Sequence, residues 1–203
     1  MKALIIVDIQ NDFTKGGALE VPNGNDVIPL INKLQTSFDL IVATQDWHPA
    51  NHKSFASNHA GRKVFEKISL NGLDQVLWPD HCIQGTKGAE FHKDLETNKI
   101  EAIFRKGMDP EIDSYSGFYD NGHRKNTGLS GYLRERKVKS VYVCGLAGDY
   151  CVFFTAKDSL HEGFDTYVIE DACRSISEEG FVTAKTEILN KGGKVIVSDS
   201  IGR

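Results

Sequence analysis

The sequence predicts an α/β domain: a three-layer, Rossmann-like sandwich in which helices flank a six-stranded, mostly parallel sheet. Six short runs rich in Val, Ile and other apolar residues are near-continuous rather than alternating, as in strands that are buried on both faces. The segments between them carry apolar residues three and four positions apart, which is the helical period. Regular alternation of such strands and helices is typical of doubly wound sheets.

The individual elements follow from these patterns in chain order. Strands are predicted over 3–7 (Ala-Leu-Ile-Ile-Val), 40–43, 102–104, 140–144 (Ser-Val-Tyr-Val-Cys), 166–169 and 194–197. Helices are predicted over 26–38, 149–161 and 180–190, where apolar residues recur on one face. A polar, irregular stretch at about 44–98 interrupts the alternation, and long insertions in compact domains are often functional.

Length and composition fit one globular domain. The chain has 203 residues, of which 40% are hydrophobic and 26% are charged, and this balance supports a single apolar core. We therefore predict one domain over residues 1–203, with a metal-site insertion at about 44–98.

Charge and hydropathy exclude several classes of partner. The net charge of -4 leaves no basic excess for nucleic acid, and no apolar run approaches the ~20 residues of a membrane span. The first apolar run begins without the basic segment and cleavage site of a secretory signal, so a cytoplasmic protein with reduced cysteines is expected. A homodimer is the default expectation for an enzyme of this size.

Polar side chains follow the predicted strands at their carboxyl ends. Asp8 follows the first strand, Asp46 and His48 follow the second, Lys106 follows the third, and a glycine-bearing turn leading to Cys151 follows the fourth. Because the carboxyl ends of parallel strands meet at one edge of a sheet, we expect these side chains to converge on one site.

Cys151 is the candidate nucleophile of this set. It lies in the first turn of a predicted helix, where the helix dipole favours the thiolate, and Lys106 beside it would lower the pKa of the thiol and keep Asp8 charged. Each residue also has a structural interpretation: a free cysteine is often a small buried hydrophobe, Asp8 could cap a turn, and Lys106 could be a surface residue. Cys144 ends an apolar strand and is predicted to lie in the core.

A metal site is predicted from the acidic and histidine residues of the insertion. Asp46 and His48 lie two residues apart, and His52 and His81 follow within the same polar stretch. Mixed oxygen and nitrogen donors suit zinc, manganese or iron. Histidines in a polar loop are also common at the surface, so spacing alone leaves both interpretations open. His92 and His123 are predicted to be surface residues.

Taken in order, five motifs make the whole chain resemble the nicotinamidase/pyrazinamidase branch of the isochorismatase-like cysteine hydrolases. They are Asp8-Ile9-Gln10-Asn11-Asp12-Phe13, Asp46-Trp47-His48-Pro49, Trp78-Pro79-Asp80-His81-Cys82, Lys106-Gly107 followed by Asp113-Ser114-Tyr115-Ser116, and Gly145-Leu146-Ala147 followed by Asp149-Tyr150-Cys151-Val152. One departure is Gly148, where a threonine is common in the family.

The resemblance implies an amidohydrolase that converts nicotinamide, and also pyrazinamide, to the acid and ammonia through a Cys151 thioester, in NAD salvage. It implies a role for each motif residue: a catalytic triad of Asp8, Lys106 and Cys151; metal ligands Asp46, His48 and His81, with His52 as a further candidate; an oxyanion hole from the amides of Ala147 and Cys151; and a ring pocket of Phe13, Trp78 and Tyr115. The implied cofactor is a divalent metal, zinc first, with manganese or iron as alternatives. The resemblance also implies a cis peptide bond between Leu146 and Ala147.

Three other functions remain to be weighed against this one. An isochorismatase-type or carbamoyl-amide hydrolase would keep the triad without needing the metal residues. A metal-dependent nicotinamide sensor would not need the intact triad. A nucleotide-binding domain fits the sheet type, but no Gly-x-Gly-x-x-Gly motif follows the first strand.

Overall fold

A six-stranded parallel sheet forms the centre of the molecule. In the computed structural model, which describes residues 1–201, its strands run in the order β5-β2-β1-β6-β7-β8, and every neighbouring pair is parallel. The strands are β1 (Lys2–Val7), β2 (Leu40–Asp46), β5 (Ala102–Lys106), β6 (Ser140–Gly145), β7 (Asp165–Cys173) and β8 (Lys194–Ile196). All six predicted strands are confirmed, and most extend one to four residues beyond the predicted ends.

Helices connect the strands. They are α1 (Ile28–Leu34), flanked by 3₁₀ turns at Gly24–Val27 and Gln35–Ser37; α2 (Leu129–Glu135); α3 (Phe153–His161), preceded by a π turn at Gly148–Val152; and α4 (Glu178–Asn190). The start of α4 is well defined, because Ser177 Oγ accepts a hydrogen bond from Gly180 N at 3.1 Å. The predicted helices are confirmed, whereas α2, which is only seven residues long, was not predicted.

The middle of the sheet is the core. Residues 3–7 of β1 and most of β2 and β6 are buried, as the continuous apolar runs predict. Cys144 is fully buried there, which confirms its predicted core position. The strand order reverses between β1 and β6, and in doubly wound sheets such a switch point opens a crevice at the carboxyl ends of the strands. The registers Val7↔Thr44, Val7↔Gly145 and Asp46↔Lys106 bring the polar strand ends to this crevice.

The segment between β2 and β5 contains an antiparallel hairpin that the sequence analysis missed. It pairs β3 (Lys67–Leu70) with β4 (Leu73–Val76) through Asn71 and Gly72, whose φ values of 52° and 84° fit a type I′ turn. In the same segment His92 has a side chain only 13% exposed, hydrogen bonded to Asn25, so its predicted surface position is wrong. The side chain of His123 is 47% exposed, as predicted. Among residues 1–201, no helix is both long and apolar enough to span a bilayer.

Candidate active site

Asp8 enters the site directly after β1 in a left-handed backbone conformation. Its φ is 48°, a region that Asp tolerates better than most residues at a cost of about 1 kcal/mol. The carboxylate is fully buried, and its Oδ1 accepts a hydrogen bond from Thr44 Oγ1 at 2.7 Å. Oδ2 receives no aligned hydrogen bond from residues 1–201, although Lys106 Nζ lies 2.8 Å away. Among residues 1–201, Oδ2 is therefore held by its ion pair with Lys106 and by no hydroxyl or backbone amide.

Lys106, the last residue of β5, joins the groups of the site. Its buried Nζ lies 2.5 Å from Asp46 Oδ1 and 3.4 Å from Cys151 Sγ, besides the contact with Asp8 Oδ2. It also donates to the carbonyl of Ser114 at 3.1 Å. Burial lowers the pKa of Lys106, but Asp46 and Asp8 outweigh it and hold the pKa well above the ordinary value. The ammonium is thus charged and fixed between two carboxylates.

Cys151 lies in the π turn that leads from β6 into α3. The turn contains a hydrogen bond from Val152 N to Ala147 O at 3.1 Å, and the Leu146–Ala147 peptide bond is cis, as the resemblance implies. The Ala147 amide has no hydrogen-bond acceptor among residues 1–201, and both Ala147 and Cys151 line the cleft described below. One carboxylate oxygen of Asp8 lies within 4.8 Å of Cys151 Sγ.

Burial sets the direction of the pKa shift at both reacting groups. It raises the pKa of the Cys151 thiol well above its ordinary value, and Lys106 only partly opposes this. Burial likewise raises the pKa of Asp8, again against the influence of Lys106. Lys106 therefore acts on the pKa of the thiol in the predicted direction, but complete burial outweighs it. A thiol with a raised pKa needs a base to become a nucleophile.

The glycine at position 148 is explained by a neighbouring aromatic ring. A Cβ atom at Gly148 would lie 2.9 Å from the Cε2 atom of Phe181 in α4. The Phe181 ring thus occupies the space that a side chain at position 148 would need, so α4 packs directly on the turn.

The three residues predicted to bind metal converge beside the triad. Asp46 Oδ2 lies 3.4 Å from His48 Nε2 and 3.6 Å from His81 Nε2, and all three side chains are buried. His48 Nδ1 lies 2.9 Å from the carbonyl of Gly107, and His81 Nδ1 lies 2.8 Å from the carbonyl of Pro79. Each carbonyl accepts the Nδ1–H of its histidine, so both Nε2 atoms face Asp46. Burial raises the pKa of Asp46, but Lys106 and then His48 outweigh it and hold it well below its usual range.

His52 lies behind this group. It clusters with His48 and Asp113 rather than with Asp46 and His81. Its Nδ1 accepts a hydrogen bond from Ser54 N at 3.1 Å. The neutral ring therefore carries its proton on Nε2, whereas ligation through Nε2 would need a lone pair on that atom. Burial, followed by His48, lowers the pKa of His52 to about 4. Metal ligation by His52 stays a prediction.

An aromatic cleft opens above Cys151. The predicted ring-pocket residues Phe13, Trp78 and Tyr115 all line it, and so do four residues that sequence analysis missed: Leu19, Asp113, Tyr150 and Ile176. Trp78 Nε1 donates to the Tyr115 hydroxyl at 3.2 Å, and the Trp78 and Tyr150 rings meet edge to face with centroids 4.9 Å apart. Tyr150 could have been found from its place beside Cys151, whereas no sequence signal marks Leu19 or Ile176.

Two buried polar residues hold the strand ends in place. The Gln10 side chain donates to Asp46 O at 2.8 Å and accepts from Asp46 N at 2.8 Å, so it pairs with that residue as a neighbouring strand would. Thr44 holds Asp8 through the hydrogen bond to Oδ1. These contacts fix the acid of the triad and the acid of the metal group relative to one another.

Fold and site together define an α/β domain with a buried cysteine, carboxylate and lysine at the switch point of a parallel sheet. The model of the isochorismatase domain matches residues 2–200, so the chain belongs to the isochorismatase family.

The similar proteins include nicotinamidases and a pyrazinamidase. A nicotinamidase of Acinetobacter baylyi is 50% identical over 200 residues, covering 98% of this chain and 94% of that protein. A solved nicotinamidase/pyrazinamidase of Acinetobacter baumanii superposes with a TM-score of 0.95 at 50% identity, covering 98% of this chain and 96% of the other. The yeast nicotinamidase bound to the inhibitor nicotinaldehyde superposes with a TM-score of 0.93 at 32% identity, covering 98% of this chain and 100% of the other. A solved pyrazinamidase of Pyrococcus horikoshii in complex with zinc superposes with a TM-score of 0.80 at 40% identity, covering 97% of this chain and 98% of the other.

Proposed function

We propose that this chain is a cysteine amidohydrolase that converts nicotinamide to nicotinic acid and ammonia, and pyrazinamide to pyrazinoic acid by the same chemistry. One observation carries the proposal. The thiol of Cys151 lines an aromatic cleft together with Asp46 and His81, and a buried carboxylate and a fixed ammonium lie beside it. The similarity to nicotinamidases at 50% identity supports this substrate. Nicotinic acid formed this way would be reused in NAD salvage.

The cleft suits a flat pyridine carboxamide. Phe13, Trp78 and Tyr115 provide apolar faces and edges for the ring, with Tyr150 at their side. The carboxamide carbon would lie over Cys151 Sγ, with its oxygen toward the amides of Ala147 and Cys151. This orientation turns the ring nitrogen toward Asp46, His48 and His81.

Acylation starts from the neutral thiol. Asp8 Oδ2 takes the proton of Cys151, the sulfur forms a bond to the amide carbon, and the carbonyl electrons move to oxygen. The two backbone amides receive this oxyanion, a contribution of about 3–4 kcal/mol per donor in comparable sites. The oxyanion then collapses, the C–N bond breaks, and the proton held by Asp8 passes to the nitrogen, which leaves as ammonia. Lys106 stabilises the charged carboxylate at the start and the thiolate as it forms.

Deacylation repeats this chemistry with water. Asp8 removes a proton from a water molecule, whose oxygen adds to the thioester carbon. The C–S bond breaks, the sulfur recovers its proton from Asp8, and nicotinic acid is released. The raised pKa of Asp8 suits this exchange, because a base is most effective when its pKa approaches the working pH.

The residues around Asp46 fit a divalent metal ion. A carboxylate oxygen faces two imidazole Nε2 atoms, and each imidazole is oriented from behind by a backbone carbonyl. In addition, two buried carboxylates share a single ammonium, which leaves one negative charge for a cation to balance. Asp46, His48 and His81 would hold the ion, which would ligate the ring nitrogen and orient the substrate. We propose zinc, which the related pyrazinamidase of Pyrococcus horikoshii contains, with manganese or iron as alternatives.

The proposal is tested by ammonia release from nicotinamide before and after a chelator strips the metal from purified protein. We expect release to disappear on stripping and to return with zinc, manganese or iron. Asp46→Ala should lose the metal and raise KM, whereas the exposed Asp94→Ala should do neither. Release that survives complete stripping would reduce Asp46, His48 and His81 to a structural role.

The homodimer and the cytoplasmic location stay predictions.

A further inference from the structure

Asp149 lies in the nucleophile turn but points away from the cleft. It stands between the two amides assigned to the oxyanion, those of Ala147 and Cys151. Its half-buried carboxylate binds backbone on the opposite side: Oδ1 accepts from Ile176 N at 3.0 Å and Oδ2 accepts from Ser177 N at 2.9 Å. Both oxygens are therefore engaged by the segment that leads from β7 into α4.

Two further contacts join the same parts of the chain. Gly148 N donates to Arg174 O at 2.7 Å, and the ring of Phe181 packs on Gly148 closely enough to exclude a Cβ atom. We call residues 174–181 the latch segment. It holds the turn through two hydrogen bonds to a carboxylate, one backbone hydrogen bond and one aromatic contact. The latch segment also contributes Ile176 to the cleft wall.

We propose that Asp149 is a positioning residue that fixes the oxyanion-binding amides through the latch segment. The turn contains a π-type hydrogen bond and is not held by a regular helix at this point. The direction of its amides therefore depends on contacts from outside the turn. A carboxylate can accept from two adjacent N–H groups at once, and such charge-assisted bonds are stronger than neutral ones. An amide side chain in its place would present an NH₂ group to one of these N–H donors.

The inference rests on the proposed amide hydrolysis, and it predicts a selective defect. Asp149→Asn should misalign the amides without touching the substrate ring or the metal group. Removing one oxyanion donor outright costs about 10²–10³-fold in kcat, so misalignment should cost somewhat less, about 10–100-fold. KM for nicotinamide and metal content should stay within about threefold of wild type, since ring binding does not depend on these amides.

Nicotinaldehyde provides a readout that general structural damage would not reproduce. The Cys151 thiol adds across its C=O bond: the S–C bond forms, the thiol proton passes to Asp8, and the carbonyl electrons move to an oxygen placed as in the transition state. Affinity for this aldehyde should therefore fall in parallel with kcat in Asp149→Asn. Inhibition by pyridine, which has the ring nitrogen but no carbonyl, should not change.

The matched control is Asp171→Asn. Asp171 also accepts a backbone hydrogen bond, from Ser198 N at 2.9 Å, but it lies outside the cleft lining. Phe181→Leu serves as a second variant should Asp149→Asn fold poorly, because it trims the ring that packs on Gly148. It should give a smaller loss, about 3–10-fold, of kcat and of aldehyde affinity together.

The experiment measures kcat, KM, metal content and both inhibition constants for wild type and the three variants. A parallel loss of kcat and aldehyde affinity in Asp149→Asn or Phe181→Leu, absent from Asp171→Asn, supports the inference. Wild-type kcat in both Asp149→Asn and Phe181→Leu overturns it. Losses that extend to pyridine affinity and metal content overturn it as well. Failure of the wild-type protein to release ammonia would instead refute the proposed function itself.

Discussion

Replacing Thr44 by valine should shift the pH dependence of hydrolysis, because Thr44 donates a hydrogen bond to Asp8, the proposed base. Valine keeps the shape of the side chain but removes the hydroxyl that donates to Asp8 Oδ1 at 2.7 Å. A hydrogen bond to a buried charged group is worth about 1.5–3 kcal/mol, and one pKa unit corresponds to about 1.4 kcal/mol. This bond stabilises the charged carboxylate and lowers the pKa of Asp8, so its loss should raise that pKa further.

Since Asp8 must be ionised to accept a proton, the acid limb of kcat/KM should move to higher pH. The rate at low pH should fall about 10–100-fold, with a smaller change above the new pKa. The assay is kcat/KM for nicotinamide across the pH range in which the protein is stable. Thr166→Val is the matched control, because Thr166 is equally buried in β7 but bonds only to Phe164 and Ser159. An acid limb that stays in place in Thr44→Val would refute the assignment of Asp8 as base.

Two predictions concern stability. Gly148→Thr should lower the free energy of unfolding by about 1–3 kcal/mol, because the new side chain would overpack against Phe181. Adding Phe181→Ala removes the ring and should recover part of this loss. Denaturant unfolding measures both, and strictly additive changes in the free energy of unfolding would contradict the clash. Hydrogen bonds from Ser130 and Tyr119 lower the pKa of Glu162 from its ordinary 4.5 to about 2. The ionised Glu162 therefore stabilises the folded state fully above about pH 4.5, and this stabilisation is lost as the pH falls toward 2. Glu162→Gln should therefore cost about 1–3 kcal/mol at neutral pH and little near pH 2, and an equal cost at both would show that ionisation is not the cause.

The convergence of the main site residues could be predicted because a parallel sheet brings its carboxyl strand ends to one edge. Asp8, Asp46, Lys106 and the turn before Cys151 all follow from recognising four strands. The hairpin at Asn71 and Gly72 carried the strongest short hairpin signal in the sequence and could also have been predicted.

Residues that act through tertiary contacts could not be predicted from sequence. Nothing in the pattern marks Thr44 or Gln10, because each acts on a side chain or backbone group 36 residues away. The latch contacts of Asp149 depend in the same way on where α4 packs.

The pKa of the Cys151 thiol shows the same limit. Its place in a helical turn beside a lysine was correctly recognised, and both features favour a thiolate. Complete burial acts in the opposite direction and is stronger, and burial of a single side chain depends on the folded structure.

The most direct test of the central claim compares purified wild-type protein with Cys151→Ala, using ammonia release from nicotinamide in the presence of zinc, manganese or iron. We predict release by the wild type and none above the uncatalysed rate by Cys151→Ala, with metal content unchanged. Release by Cys151→Ala would exclude the thioester mechanism, and no release by the wild type under any of the three metals would contradict the proposed activity.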